Sequence, residues 1–140
     1  MKIKSTNKRS GFTLVEIMIV VAIIALLAAI AVPNFLRARK RSQAARELED
    51  LRILDHAISQ YAIETNKTAY AQVTFADLQS YLKKDTTLYS TGSDIFGQQY
   101  GSYWLGGYFW VDVTPSIPYS TYAALTDVAD DSFWSPYTIY

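Results

Sequence analysis

The sequence predicts an α+β chain in which one long N-terminal helix carries a small head built on an antiparallel β-sheet. Three observations point there. Ile17 to Val32 reads IMIVVAIIALLAAIAV, sixteen consecutive apolar residues. After Asn34 the pattern turns periodic, with Ala44 or Ala45, Leu48, Leu51, Leu54, Ile58, Tyr61 and Ala62 recurring at three- and four-residue steps, as one face of a helix requires. Thirteen of the twenty aromatic residues then fall in 96–140, where runs of Tyr, Trp, Phe and Val flank Gly106-Gly107, a hairpin signal.

At 140 residues the chain has room for one ordinary domain. Lys and Arg number 13, Asp and Glu 13, so the formal charge is zero, which argues against a nucleic-acid binder coated in positive charge. With no Cys there is no disulfide, no Cys-held metal and no thiol nucleophile. The single histidine, His56, excludes any site that needs two. No catalytic constellation, metal site or cofactor is expected.

The zero charge is a sum of unlike pieces. Residues 1–11 carry Lys2, Lys4, Lys8 and Arg9 without an acid. Residues 12–33 carry Glu16 alone. A basic collar follows, with Arg37, Arg39, Lys40, Arg41, Arg46 and Arg52 against Glu47, Glu49 and Asp50, and the remainder from Ile53 is acidic.

From Phe12 to Leu36 is 25 residues, about 37 Å as a helix, enough to cross a hydrocarbon core of about 30 Å. A cleaved secretory signal ending at Ala29-Ile30-Ala31 and a plain single-span anchor both fit that outline. Neither has a use for Glu16, since an acid at mid-membrane costs roughly 2.5–3.5 kcal/mol on insertion scales. The flanking charges do not settle orientation, because the leader and the RARKR run at 37–41 hold four cations each.

GFTLVEI at 11–17, preceded by the basic leader and followed by the apolar run, resembles the N-terminal signature of type IV prepilins and of the related pseudopilins of type II secretion. The resemblance implies the type IV pilin fold. It implies cleavage between Gly11 and Phe12 by a membrane-embedded prepilin peptidase, N-methylation of Phe12, and filament assembly through Phe12, Glu16 and Pro33. It also sets the leader on the cytoplasmic side. In this picture Glu16 of one subunit pairs with the new amine at Phe12 of a neighbour, because a buried carboxylate is tolerated when paired. The implied parts are a leader (1–11), a membrane and filament-core helix (12–36), its amphipathic continuation (37–66) and a globular head (67–140). The missing cysteines depart from the disulfide of many major pilins.

Pro33 removes a backbone donor and crowds the preceding turn, so a kink or break is expected just before it. Otherwise no Gly or Pro interrupts one helix of about 50 residues from Phe12 to Glu64. His56, between Asp55 and Ala57, is expected to have a surface or packing role. The RARKR run has a DNA-binding reading, but pairing with Glu47, Glu49 and Asp50 of another chain in a bundle is preferred.

In the head, Thr74 to Leu82 reads as a short helix with Thr74 as N-cap and Asp77 completing an acidic variant of the capping box. SDIFGQQYG at 93–101 resembles a D-x-[aromatic]-G-x-x-Y turn of pilin heads. SFWSPYTIY at 132–140 supplies a last strand, for three or four antiparallel strands in all. The aromatics are assigned to core packing ahead of adhesion or electron hopping. Asp127, Asp130 and Asp131 are read as a solvated acidic loop rather than a Ca²⁺ site.

The function expected is that of a structural subunit, not an enzyme. It would polymerise with identical copies into a type IV pilus for adhesion, motility or DNA uptake, with a major pseudopilin of type II secretion as the alternative. Its expected partners are prepilin peptidase, the assembly machinery and the cytoplasmic membrane, where the precursor sits as a single-pass protein; no direct nucleic-acid contact is expected. After assembly the place is an extracellular pilus or a periplasmic pseudopilus.

Overall fold

A computed structural model describes residues 11–101 and 109–139. The fold opens with helix α1, Leu14–Thr65, 52 residues long. The remaining elements are short: β1 (Gln72–Val73), α2 (Phe75–Leu78), a 3₁₀ turn (Gln79–Tyr81), α3 (Thr87–Thr91), β2 (Phe109–Trp110), β3 (Ser116–Ile117), α4 (Tyr119–Leu125), α5 (Asp131–Trp134) and β4 (Thr138–Ile139). The chain divides into two compact units between Leu36 and Arg37.

The first unit is the apolar stretch of α1. Apart from Glu16 and Asn34, its side chains are apolar on every side of the helix, and among the described residues none is buried: Leu14 is 78% exposed and Leu26 65%. A helix hydrophobic all round needs lipid or other helices around it. It is long and apolar enough to cross a membrane. Helical structure runs unbroken through Pro33, so the expected break is absent. One missing donor frees one carbonyl, and the hydrogen bonds on either side hold the turn.

The second unit packs the amphipathic half of α1 against the short elements. Ala44, Glu47, Leu48, Leu51, Leu54, Ala57 and Ile58 form its buried face. The helix ends in a Schellman motif. Asn66 takes the left-handed conformation (φ 52°), and the Lys67 and Asn66 amides donate back to the Ala62 and Ile63 carbonyls at 3.0 and 3.4 Å. Against the buried face sit Val73, Leu78, Leu88, Phe109, Ile117, Leu125 and Trp134 in one continuous core.

The expected capping box is present. Thr74 Oγ1 accepts from the Asp77 amide at 3.3 Å while Asp77 Oδ2 accepts from the Thr74 amide at 2.9 Å. The α-helix it starts is only one turn and tightens into the 3₁₀ turn by Gln79.

The sheet differs from the expectation of three or four antiparallel strands. β1 and β2 are antiparallel, with Gln72 opposite Trp110 and Val73 opposite Phe109. β3 and β4 are parallel, with Ser116 opposite Thr138 and Ile117 opposite Ile139. The reason is the intervening chain: α4 and α5 make a crossover that brings it back in the same direction, which a hairpin does not do. The stretch expected to be a final strand begins as α5, because Asp130 Oδ1 accepts from the Phe133 amide at 3.1 Å and starts a helical turn. The Gly106-Gly107 hairpin lies outside the described residues.

Candidate functional site

Gly11, Phe12 and Thr13 lead into α1 as non-helical chain. Phe12 is 84% exposed. Thr13 caps α1: its amide and its hydroxyl both donate to Glu16 Oε2, at 2.7 and 2.9 Å, and its Oγ1 accepts from the Glu16 amide at 3.3 Å. That is a Thr-x-x-Glu capping box, with the carboxylate at the positive end of the helix dipole. The sequence carries this signal openly as TLVE at 13–16, a role within the chain that the expectation of pairing between chains passes over. Both bonds fall on Oε2, so the second oxygen keeps its capacity to accept, with no bond among the described residues.

Gly11 makes no close packing contact among the described residues. A Cβ added there would meet nothing within 4 Å, and its φ is not one that L side chains avoid. Pro33 lies within the exposed apolar part of α1, sixteen positions past the start of the apolar run at Ile17.

A second polar centre lies buried in the head. The turn at Asp94 is closed by its own side chain: Oδ1 accepts from the Phe96 and Gln98 amides at 2.8 and 2.7 Å, and Gly97 provides the left-handed step (φ 81°). Asp94 Oδ2 accepts from the Thr121 hydroxyl of α4, and the Tyr100 hydroxyl donates to Glu47 Oε1 on α1. Glu47, Asp94, Tyr100 and Thr121 are all buried. Here is the physical use of the D-x-F-G-x-x-Y pattern: Asp94 shapes the loop and ties it to α4, and Tyr100 ties it to α1. Contrary to the expectation from sequence, Glu47 is therefore not available to cations of another chain. It sits on the buried face of α1, three residues from Ala44 and four from Leu51.

Burial pushes the Glu47 carboxyl up to about 7; the Tyr100 hydrogen bond and the Ile95 amide pull it down, and nearby Asp94 and Asp50 push it further up. Burial, with Glu47 beside it, holds the Tyr100 phenol well above its ordinary value, so Tyr100 remains the donor. Asp50 is also raised, by burial first. An acid whose pKa is higher folded than unfolded makes the fold bind extra protons, so stability falls as pH rises between its two pKa values. For Glu47 that window runs from 4.5 to about 7, and the loss is on the order of 3 kcal/mol. Glu47→Gln keeps an acceptor for Tyr100 without a charge. Urea unfolding of the detergent-solubilised chain, followed by tryptophan fluorescence, is expected to show the variant's stability declining by about that much less than the parent's across this window. Equal pH slopes in the two proteins would rule out a neutral Glu47 in the fold.

The other charged candidates have local partners. Lys40 of the basic run pairs with Asp127 of the same chain at 2.9 Å, and Glu49 lies 3.6 Å from Arg52. Asp130 caps α5, and Asp131 accepts from the Tyr122 hydroxyl at 2.5 Å. His56 is exposed on α1.

An exposed apolar helix opened by the Thr13 and Glu16 capping box, continuing into an amphipathic half that carries an α+β head, fits a membrane-anchored precursor of the prepilin class. Residues 6–32 match the family model described as the prokaryotic N-terminal methylation motif. The chain is 33% identical over 63 residues to type II secretion system core protein G of Escherichia coli, covering 45% of this chain and 43% of that protein. It is 43% identical over 68 residues to the type IV major pilin protein PilA of Myxococcus xanthus, covering 48% and 31%. These two matches thus span less than half of each relative. The type IV wide pilus major component PilA4 of Thermus thermophilus is 31% identical over 137 residues, covering 87% of this chain and 95% of that protein. The chain belongs to the type IV pilin family. No solved structure matches it.

Proposed function

We propose that this chain is a filament subunit made as a membrane-anchored precursor, cut between Gly11 and Phe12, methylated at Phe12, and polymerised with identical copies through α1 into a type IV pilus. The observation that carries the proposal is the apolar half of α1, which the chain leaves wholly uncovered. Fully burying one large aliphatic side chain is worth about 1.5–3 kcal/mol, so covering this stretch is worth tens of kcal/mol to lipid before assembly and to neighbouring helices after it. Gly11 fits that processing: a Cβ there would meet nothing among the described residues, and the methylation motif matched at residues 6–32 spans the cut.

Cleavage creates an α-amine at Phe12, cationic at neutral pH given an ordinary pKa near 8. Glu16 can accept it through the oxygen that the capping box leaves free. The partners that follow are copies of the chain, a prepilin peptidase, an assembly machine and the cytoplasmic membrane, with the leader inside and the head outside. The match to core protein G favours one second reading, a major pseudopilin of type II secretion with the same processing and assembly. The pilus reading takes precedence because the PilA4 match runs over nearly the whole of both chains.

Intact mass and N-terminal analysis of protein from the membrane and sheared surface fractions test the proposal. The expected result is a chain starting at methylated Phe12. A chain starting at Val32 would mean removal of the apolar helix as a secretory signal and would overturn it. Electron microscopy of the sheared fraction then separates surface fibres from a periplasmic pseudopilus.

A further inference from the structure

The residues directly after the apolar half of α1 form a dense run of cations. Arg37 follows Leu36 in the same helix, and Arg37, Arg39, Lys40 and Arg41 lie within about 6 Å of rise along the axis. Arg37 and Arg41, four apart, share one side of the helix, and Arg39 lies roughly 160° round from both. Arg37, Arg39 and Arg41 are exposed, and none makes a hydrogen bond or close ion pair among the described residues, although Arg37 lies near enough to Asp127 to help hold its carboxyl down. Nearby acids are engaged elsewhere: Asp127 with Lys40, Glu49 with Arg52, Asp130 with the start of α5, and Glu47 inside the core. Arg41 borders a hollow walled in part by Asp127 and Asp130 without pairing to either.

Cations spread round a helix at one level suit a plane that the helix passes through. A partner protein approaching from one side would be met by a stripe instead. Phe35 and Leu36, 67% and 49% exposed, place the last large apolar side chains immediately before the first arginine. We propose that Arg37, Arg39 and Arg41 bind the phosphate groups of anionic phospholipids at the outer face of the bilayer that α1 spans before assembly. The inference rests on the membrane-anchored reading above. Arginine suits the role because its planar fork donates two parallel hydrogen bonds to a phosphate. The anchored subunit then carries its own shell of acidic lipid, which it must exchange for protein contacts on entering a filament.

The test reconstitutes the full chain in nanodiscs of equal phosphatidylcholine and phosphatidylglycerol and counts the lipids retained per chain by native mass spectrometry. The parent is expected to retain phosphatidylglycerol in preference. Each Arg→Gln change at 37, 39 or 41 is expected to lower that preference by about fivefold, the equivalent of about 1 kcal/mol per basic residue near an anionic surface. A triple Arg→Lys variant is expected to keep most of it, and all preference is expected to fade between 0.01 and 1 M salt as the screening length drops from about 30 to about 3 Å. The leader's four cations are the same in every variant, so differences between variants belong to the collar. Circular dichroism checks that each variant keeps its helix. Equal retention of both lipids by the parent, or a triple Arg→Gln variant that retains phosphatidylglycerol like the parent, overturns the proposal and returns the collar to protein contacts. A chain that does not enter the discs at all overturns the membrane-anchored reading and this inference with it.

Discussion

Glu16→Ala is expected to insert into the membrane at least as well as the parent and to yield no filaments. Insertion gains, because a carboxylate is removed from an apolar segment where it costs up to roughly 2.5–3.5 kcal/mol. Loss of the Thr13 and Glu16 capping box costs the helix end roughly 0.5–2 kcal/mol, which a 52-residue helix tolerates. Assembly loses more: with the proposed cut before Phe12, the new cationic amine would have to be buried among apolar helices unpaired once the carboxylate is gone, a penalty of about 3–5 kcal/mol per contact. At about 1.4 kcal/mol per tenfold, that removes filaments by a factor of a hundred or more at the first contact.

The structure adds a second variant that decides between two roles for this one side chain. Glutamine at the same position still completes a capping box, but carries no charge. If Glu16 serves mainly to cap α1, Glu16→Gln assembles like the parent; if it pairs with a neighbour's amine, Glu16→Gln fails as Glu16→Ala does. We expect failure, measured as the ratio of sheared filament to membrane-bound subunit. A parental ratio for Glu16→Gln would leave the carboxylate with its capping role alone.

Trp134→Ala carries the largest expected loss of stability. The ring is fully buried and meets Phe133 edge-on, with centroids 5.0 Å apart at 85°. Truncating a buried Trp to Ala costs about 3–5 kcal/mol through lost burial and the cavity left behind. Against a domain stability of about 5–15 kcal/mol, that is about a fifth or more of the total. For a unit of this size each kcal/mol moves the midpoint by about 4–8 °C, so thermal unfolding should drop by about 12–40 °C. Trp134→Phe is expected to cost about 1 kcal/mol or less. The indole Nε1 is buried with no hydrogen-bond partner among the described residues, and removing it relieves a desolvation penalty of about 1–3 kcal/mol that offsets the smaller ring. Equal losses for Ala and Phe would show that the indole nitrogen has a partner and that its hydrogen bond, not the ring's bulk, holds α5.

Local chemistry is legible along the chain wherever one short segment suffices to satisfy it. The Thr74 and Asp77 box, the Asp94 to Tyr100 turn and the apolar run of α1 each need only near neighbours, so spacing reveals them. Thr13 and Glu16 are legible in the same way, as Thr-x-x-Glu ahead of an apolar run. Asp130 as the cap of α5 is also within reach of the sequence, but the apolar pattern of 132–140 draws the expectation to a strand instead. Glu47 is the more instructive case. Its neighbours Glu49 and Asp50 make it look like part of a solvated acidic patch, although its step from Ala44 places it on the buried face.

By itself the sequence determined the long helix, the half of it that is long and apolar enough to cross a membrane, the N-terminal methylation motif and the α+β class, because periodicity and capping act over a few residues. Only the tertiary structure decided what depends on distant partners. It brought Tyr100 to Glu47, Thr121 to Asp94 and Asp127 to Lys40, and it set β3 and β4 parallel across α4 and α5. Two-residue strands carry too little pattern to announce a direction, and a carboxyl is neutral or charged according to what closes over it. The neutral total charge concealed both: exposed arginines at 37, 39 and 41 directly after the apolar run, and a glutamate drawn into the core.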